Sequence, residues 1–200
     1  AGTGQRSKTG TVKPGQIYFI QSVEWLIRSK SISQQETCMD QPLRLRPATE
    51  TDLPSIVSLF TDSVHQLAAR SYTPEQRAAW APGSPDVEQW RSQLAKVDTL
   101  IAESDGIMAG FISFTADGGH IEFLFTAPAC SRRGIASLLY EAAVERLLAR
   151  GVRTLTTEAS LEARPFFETR GFSVLEAQTV ERDGVQLQRF AMARCLSQSK

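Results

Sequence analysis

The chain has two histidines and three cysteines, too few and too scattered for a metal centre. His65 and His120 each stand alone, and Cys38, Cys130 and Cys195 are far apart. No zinc-ligand spacing results, and no metal is expected. The odd, dispersed set also argues against a disulfide framework and fits a reducing cytoplasm. There is no surplus of charge either, since 22 Lys+Arg balance 22 Asp+Glu. That excludes a general basic field for nucleic acid and a polybasic membrane tether. No apolar run approaches the roughly 20 residues of a bilayer span. The longest candidate, Ile17–Ile20 continuing to Trp25–Ile27, is interrupted by Glu24 and lacks a small-x-small cleavage site, which counts against a signal peptide. Two nucleotide signatures are missing as well: no G-x-G-x-x-G opens a helix, and no Gly-Lys-Ser/Thr follows a loop.

What is present is a 42% apolar fraction, enough for a packed core in one α/β domain. Residues 1–38 are rich in Ser, Gln, Thr, Gly and Lys and read as a leader or added extension of poor order. A domain is expected over residues 39–200. Within it Leu43–Arg46 alternates as a half-buried strand. Thr49–Asp52 supplies capping chemistry for a helix whose apolar face carries Leu53, Ile56, Val57, Leu59 and Phe60. A second helical stretch begins near Pro74, is broken at Pro82–Pro85 and resumes from Val87 to Lys96. Strands follow at Thr99–Glu103, Met108–Phe114 and His120–Thr126, with Asp-Gly and Gly-Gly turns between them. A long amphipathic helix runs from Gly134 to Ala149, capped by Gly151. Then come a strand at Val152–Thr157, a helix at Leu161–Arg170, and two strands, Phe172–Val180 and Val185–Met192. The order βααβββαβαββ implies a mixed sheet with helices on both faces.

The informative segment is Pro128–Ala136, which leaves a strand and enters the long helix. Successive backbone N–H groups at such a helix start are unsatisfied and carry partial positive charge, which suits a pyrophosphate. Gly134 and Ala136 are small enough for close approach, and Arg132 and Arg133 can add charge-assisted bonds. A plain strand-to-helix turn with solvated arginines is the other reading of these residues. Upstream, Glu122 sits on a strand where alternation gives it the face of His120 and Leu124. It is a candidate general base, or else an anion that attracts an ammonium.

Residues 131–136 resemble the GNAT acetyltransferase signature Gln/Arg-x-x-Gly-x-Gly/Ala, with Ser131 where that family has Gln or Arg. Thr157–Phe172 resembles the family's Asn-x-x-Ala-x-x-x-Tyr-x-x-x-Gly-Phe block, with Ser160 at the Asn position and Phe167 at the Tyr position. Ser71–Pro82 resembles a Tyr-Thr-x-x-Gln-x-x-x-Trp acceptor segment of one bacterial branch, carried here by Tyr72 and Trp80. The resemblance spans about residues 43–194 and implies an acyl-CoA N-acyltransferase fold whose strands splay at the cofactor site. It implies acetyl-coenzyme A as co-substrate and an amine acceptor, small molecule or protein, with a homodimer as an option. Pantetheine is then expected along Leu124, Phe125 and Thr126, near Ser160 and Phe167. The pyrophosphate is expected at Arg132, Arg133, Gly134, Ile135, Ala136 and Ser137, and the thioester carbonyl at the Leu124 N–H. Phe167 cannot supply the proton that the family's tyrosine gives the leaving thiolate, so a coenzyme A-binding module without turnover is the alternative function.

Overall fold

The computed structural model describes residues 42–196, and the expected leader at 1–38 lies outside them. The strands are β1 (Arg44–Pro47), β2 (Asp98–Ser104), β3 (Ile107–Phe114), β4 (His120–Thr126), β5 (Thr154–Ser160), β6 (Ser173–Arg182) and β7 (Val185–Cys195). The helices are α1 (Leu53–Leu67), α2 (Pro74–Trp80), α3 (Val87–Leu94), α4 (Ile135–Ala149) and α5 (Arg164–Glu168). The strands form one seven-stranded sheet in the order β1-β2-β3-β4-β5-β7-β6. Every neighbouring pair is antiparallel except β4 with β5, which is parallel.

The most buried strands are β2 and β3, where Leu100, Ile101, Phe111, Ile112 and Phe114 are wholly buried. A strand covered on both faces reads as an unbroken apolar run, and each of these side chains contributes on the order of 1.5–3 kcal/mol by burial. On one face, α4 buries Ile135, Leu139, Ala143 and Leu147, a four-residue spacing that makes a single stripe. Gly110 lets that helix sit flush, because a Cβ there would come within 3.0 Å of Ile135 and 3.1 Å of Leu139. On the other face, α1 sets Ile56, Phe60 and Val64 against Ile101, Phe111 and Trp90 of α3.

Local chemistry fixes the helix starts. Thr73 receives the Gln76 N–H and Gln76 returns a bond to the Thr73 N–H, a reciprocal cap with Pro74 in the first turn. Asp86 accepts from the amides of Glu88 and Gln89, both at 3.0 Å, so α3 starts on its own cap after the break at Pro82–Pro85. The helix expected at Leu161–Arg170 shortens to α5, because the Ser160 hydroxyl takes the Ala163 N–H at 3.1 Å and holds the chain in a turn. Among the described residues Cys195, at the end of β7, is free and exposed. No helix among the described residues is long and apolar enough to cross a membrane.

Candidate active site

The site begins where the sheet comes apart. β4 and β5 pair only at His120 with Thr156 and Ile121 with Thr157, although β4 continues to Thr126 and β5 to Ser160. At the last rung the Thr157 hydroxyl donates to the Ile121 carbonyl at 3.0 Å. Beyond it the facing edges of residues 122–126 and 158–160 share no ladder among the described residues. A bulge starts the divergence. Ser113 opposes Phe123 and Phe114 opposes Ile121, so Glu122 is the extra residue on β4, where a bulge bends the strand and sharpens its twist.

The bulge also corrects the alternation argument for Glu122. Because one residue is inserted, Ile121 and Phe123 fall on opposite faces, and Glu122 joins His120 rather than Leu124. The His120 Nε2 stands 3.6 Å from a Glu122 carboxylate oxygen and 2.9 Å from one of Glu158. The Nδ1 of the same ring is 2.9 Å from the Thr156 hydroxyl. Two carboxylates and an imidazole therefore converge at the mouth of the split. Glu158 escaped sequence reasoning, since its proximity depends on the parallel register of strands more than thirty residues apart.

A cavity of about 620 Å³ opens on the α1–α3 side of the split. Glu122, Leu124, Phe125, Ser160 and Phe167 line it, and so do Tyr72 and Trp80 of the expected acceptor segment. The Tyr72 hydroxyl donates to the Gln188 carbonyl at 2.7 Å and accepts the Leu161 N–H at 3.0 Å. Burial holds that hydroxyl above its ordinary pKa of 10.0, and its ring meets Trp80 edge-on at 5.2 Å. Tyr72 is thus a tie between α2, β7 and the end of β5 as well as a wall. The side chain of Phe125 is turned into the aromatic cluster with Phe60 and Phe111, leaving its main chain as the part on the strand edge. Phe167 is buried against Phe166 and Phe172. His65 is half-buried, with its Nε2 2.8 Å from the Ala81 carbonyl oxygen.

The turn into α4 lies beside the same split. Gly134 has φ +80° and caps the helix, a left-handed conformation costly for residues with a Cβ. A Cβ built there would meet nothing within 4 Å, so the space over Gly134 itself is open. Arg132 is also left-handed at φ +60°, and both Arg132 and Arg133 are exposed. Ile135 sends its side chain into the core, leaving only its amide for a ligand. Ser137 is hydrogen-bonded by Arg170, whose guanidinium lies 3.7 Å over the Phe166 ring. The loop thus has a further cation at its flank that the loop motif alone does not reveal. Open amides at a helix start, next to a parted sheet edge, are a fitting cradle for the diphosphate and arm of a coenzyme A.

Comparison with known proteins agrees. The family model described as an acetyltransferase (GNAT) domain matches residues 68–194. The N-acetyltransferase YafP of Escherichia coli K12, described as uncharacterized, is 33% identical over 150 residues, covering 75% of this chain and 94% of that protein. The crystal structure of a GCN5-related N-acetyltransferase from Rhodopseudomonas palustris superposes with a TM-score of 0.73 at 32% identity, covering 79% of this chain and 99% of that one. The PaiA N-acetyltransferase of Thermoplasma acidophilum, solved in complex with coenzyme A, shares the fold with a TM-score of 0.62 at 19% identity, over 78% of this chain and 99% of that one. The chain belongs to the GNAT acetyltransferase family.

Proposed function

We propose that the chain transfers an acetyl group from acetyl-coenzyme A to a primary amine, by direct attack in a ternary complex. The observation that carries this reading is the parting of β4 from β5 after Ile121, with the open left-handed turn at Gly134 beside it. The main chain of Leu124, Phe125 and Thr126 would receive the pantetheine arm. The amides from Arg132 to Ser137 would receive the diphosphate. Bound there, acetyl-coenzyme A supplies the thioester.

The chain's own work is polarisation and proton removal. The Leu124 N–H would polarise the thioester carbonyl, a small oxyanion hole. An alkyl amine with a pKa near ~10.4 is mostly protonated at neutral pH, and freeing it costs roughly 4–5 kcal/mol. Glu122 is the base that offsets this cost, at the bulge that lifts it toward the cavity, with the His120–Glu158 pair as its neighbour. Tyr72 and Trp80 wall the acceptor side. Ser160 and Phe167 border the thiol end, and the thiolate departs without a tyrosine to protonate it. No acyl-enzyme is invoked, because Cys130 lies in the turn before α4 rather than beside the thioester. The test is amine-dependent release of coenzyme A thiol across an amine panel. Tight binding of acetyl-coenzyme A with no amine-dependent release from any member would instead mark a binding module.

A further inference from the structure

We infer that the acceptor is dipolar: an amine that carries its own oxyanion, a carboxylate or a phosphate, with the amine received at Glu122 and Glu158 and the oxyanion at Arg189. The inference rests on the acetyl-transfer reading above and names the class of acceptor for that same site.

Six charged side chains line the cavity: Asp86, Glu122, Glu158, Arg182, Asp183 and Arg189. Asp86 is spent on the cap of α3. Arg182 and Asp183 sit beside each other at the tip of the β6–β7 hairpin, where Asp183 takes a positive φ in the turn. That leaves two carboxylates and one guanidinium on the inner wall.

Their placement follows from register. Ser160 opposes Arg189 and Glu158 opposes Ala191, so Glu158 and Arg189 are diagonal neighbours on one face of adjacent strands. Such positions are about 7–8 Å apart, within reach of long side chains. Opposite charges so placed ordinarily close on each other, yet these two do not. The Arg189 Nε donates to the Gln178 side chain at 2.9 Å, and Arg189 enters no ion pair among the described residues. Glu158 is taken by His120 at 2.9 Å. Each charge is held back by its own tether, and the space between them is cavity.

A ligand that fills this space meets negative charge at the split and positive charge on β7. A diamine would bring its second ammonium against Arg189, and a neutral amine would leave the half-buried guanidinium without an anion. An amine bearing an oxyanion satisfies both ends, and a planar guanidinium suits carboxylate and phosphate alike.

The test is a matched panel with the full chain and acetyl-coenzyme A: ω-amino carboxylates and ω-aminoalkyl phosphates of increasing length, beside the amides and diamines of the same lengths. At the best length a dipolar acceptor should exceed its amide and its diamine in kcat/KM by about tenfold or more, equivalent to about 1.4 kcal/mol. The better of the carboxylate and phosphate arms identifies the oxyanion. Arg189→Gln should bring that ratio below about threefold, chiefly through KM, and Arg189→Lys should keep part of it. Amides or diamines that match or exceed the dipolar acceptors overturn the inference while leaving acetyl transfer standing. No amine-dependent turnover with any member overturns both.

Discussion

His120 joins Glu158 across the split sheet, its Nε2 2.9 Å from the carboxylate, while the same nitrogen lies 3.6 Å from Glu122. The two carboxylates are therefore unequal. Glu158 is engaged by the ring, and Glu122, at the bulge and more exposed, is the one of the two left to take the proton of an ammonium held there. Glu122→Gln is expected to lower kcat about a hundredfold, the low end of what general bases contribute. It should also leave a rate that climbs with pH toward the amine's own pKa near ~10.4, because only pre-formed free amine then reacts. Glu158→Gln should cost less, since Glu122 remains. An unchanged pH–rate profile in Glu122→Gln removes it from the base role.

The cofactor cradle predicts a separation between stability and affinity. At Gly134 an added Cβ faces open space, so the native fold resists substitution only through the positive φ of 80°. That strain is worth roughly 1–2 kcal/mol. Gly134→Val should remain folded, with a modest loss in thermal stability, while its affinity for coenzyme A falls about tenfold or more as the side chain occupies the approach to the amides. Calorimetric titration beside a thermal melt reads both. Wild-type affinity in a folded variant would take the diphosphate away from this turn.

A third expectation concerns the edge of the sheet far from the chemistry. Arg46 clamps Asp52 with two parallel bonds of 2.7 and 2.8 Å and reaches Glu103 at 2.7 Å. The Arg46 hydrogen bond is the main reason that the Asp52 carboxyl lies well below its ordinary 3.8, with the Thr49 bonds assisting. A depressed carboxylate pKa means the unfolded chain binds more protons at acid pH, so this stabilisation is complete above about pH 4 and is lost as pH falls below it. Asp52→Asn should lower stability by about 2 kcal/mol at pH 7 and by less at pH 3. Urea unfolding of both proteins at the two pH values reads the difference, and an equal gap at each would show that the clamp is not what the charge on Asp52 supports.

The parts of this molecule that were legible in its sequence are those set by neighbours along the chain. The alternation of Leu43–Arg46, the four-residue stripe of α4 and the small residues at Gly134 and Ala136 each carry their reason within a few positions. The parts that were not legible depend on pairing between distant strands. That Glu122 is a bulge residue follows only from where β3 meets β4. That Glu158 shares its site follows from where β4 meets β5, and the tether on Arg189 from where β6 meets β7. Tyr72 was found as an aromatic wall, but its two hydrogen bonds join residues 89 and 116 positions away, beyond any local pattern.

Phe167 stands where the family resemblance places a tyrosine, and its ring is fixed edge-on against Phe172 at 5.0 Å and Phe166 at 5.3 Å. It also lines the cavity while remaining only 2% exposed. A thiol of pKa near ~8.5 leaves as an anion at little cost near neutral pH, whereas the amine must shed a proton across about three pH units. Proton removal is then the larger barrier, and supplying an acid at position 167 should help little. Phe167→Tyr is expected to change kcat less than about threefold and to leave its pH profile in place, since the groups that shape that profile are on β4 and β5. Steady-state rates against pH check this. A rise of about tenfold or more, equivalent to about 1.4 kcal/mol, would mean that departure of the thiolate limits the native enzyme.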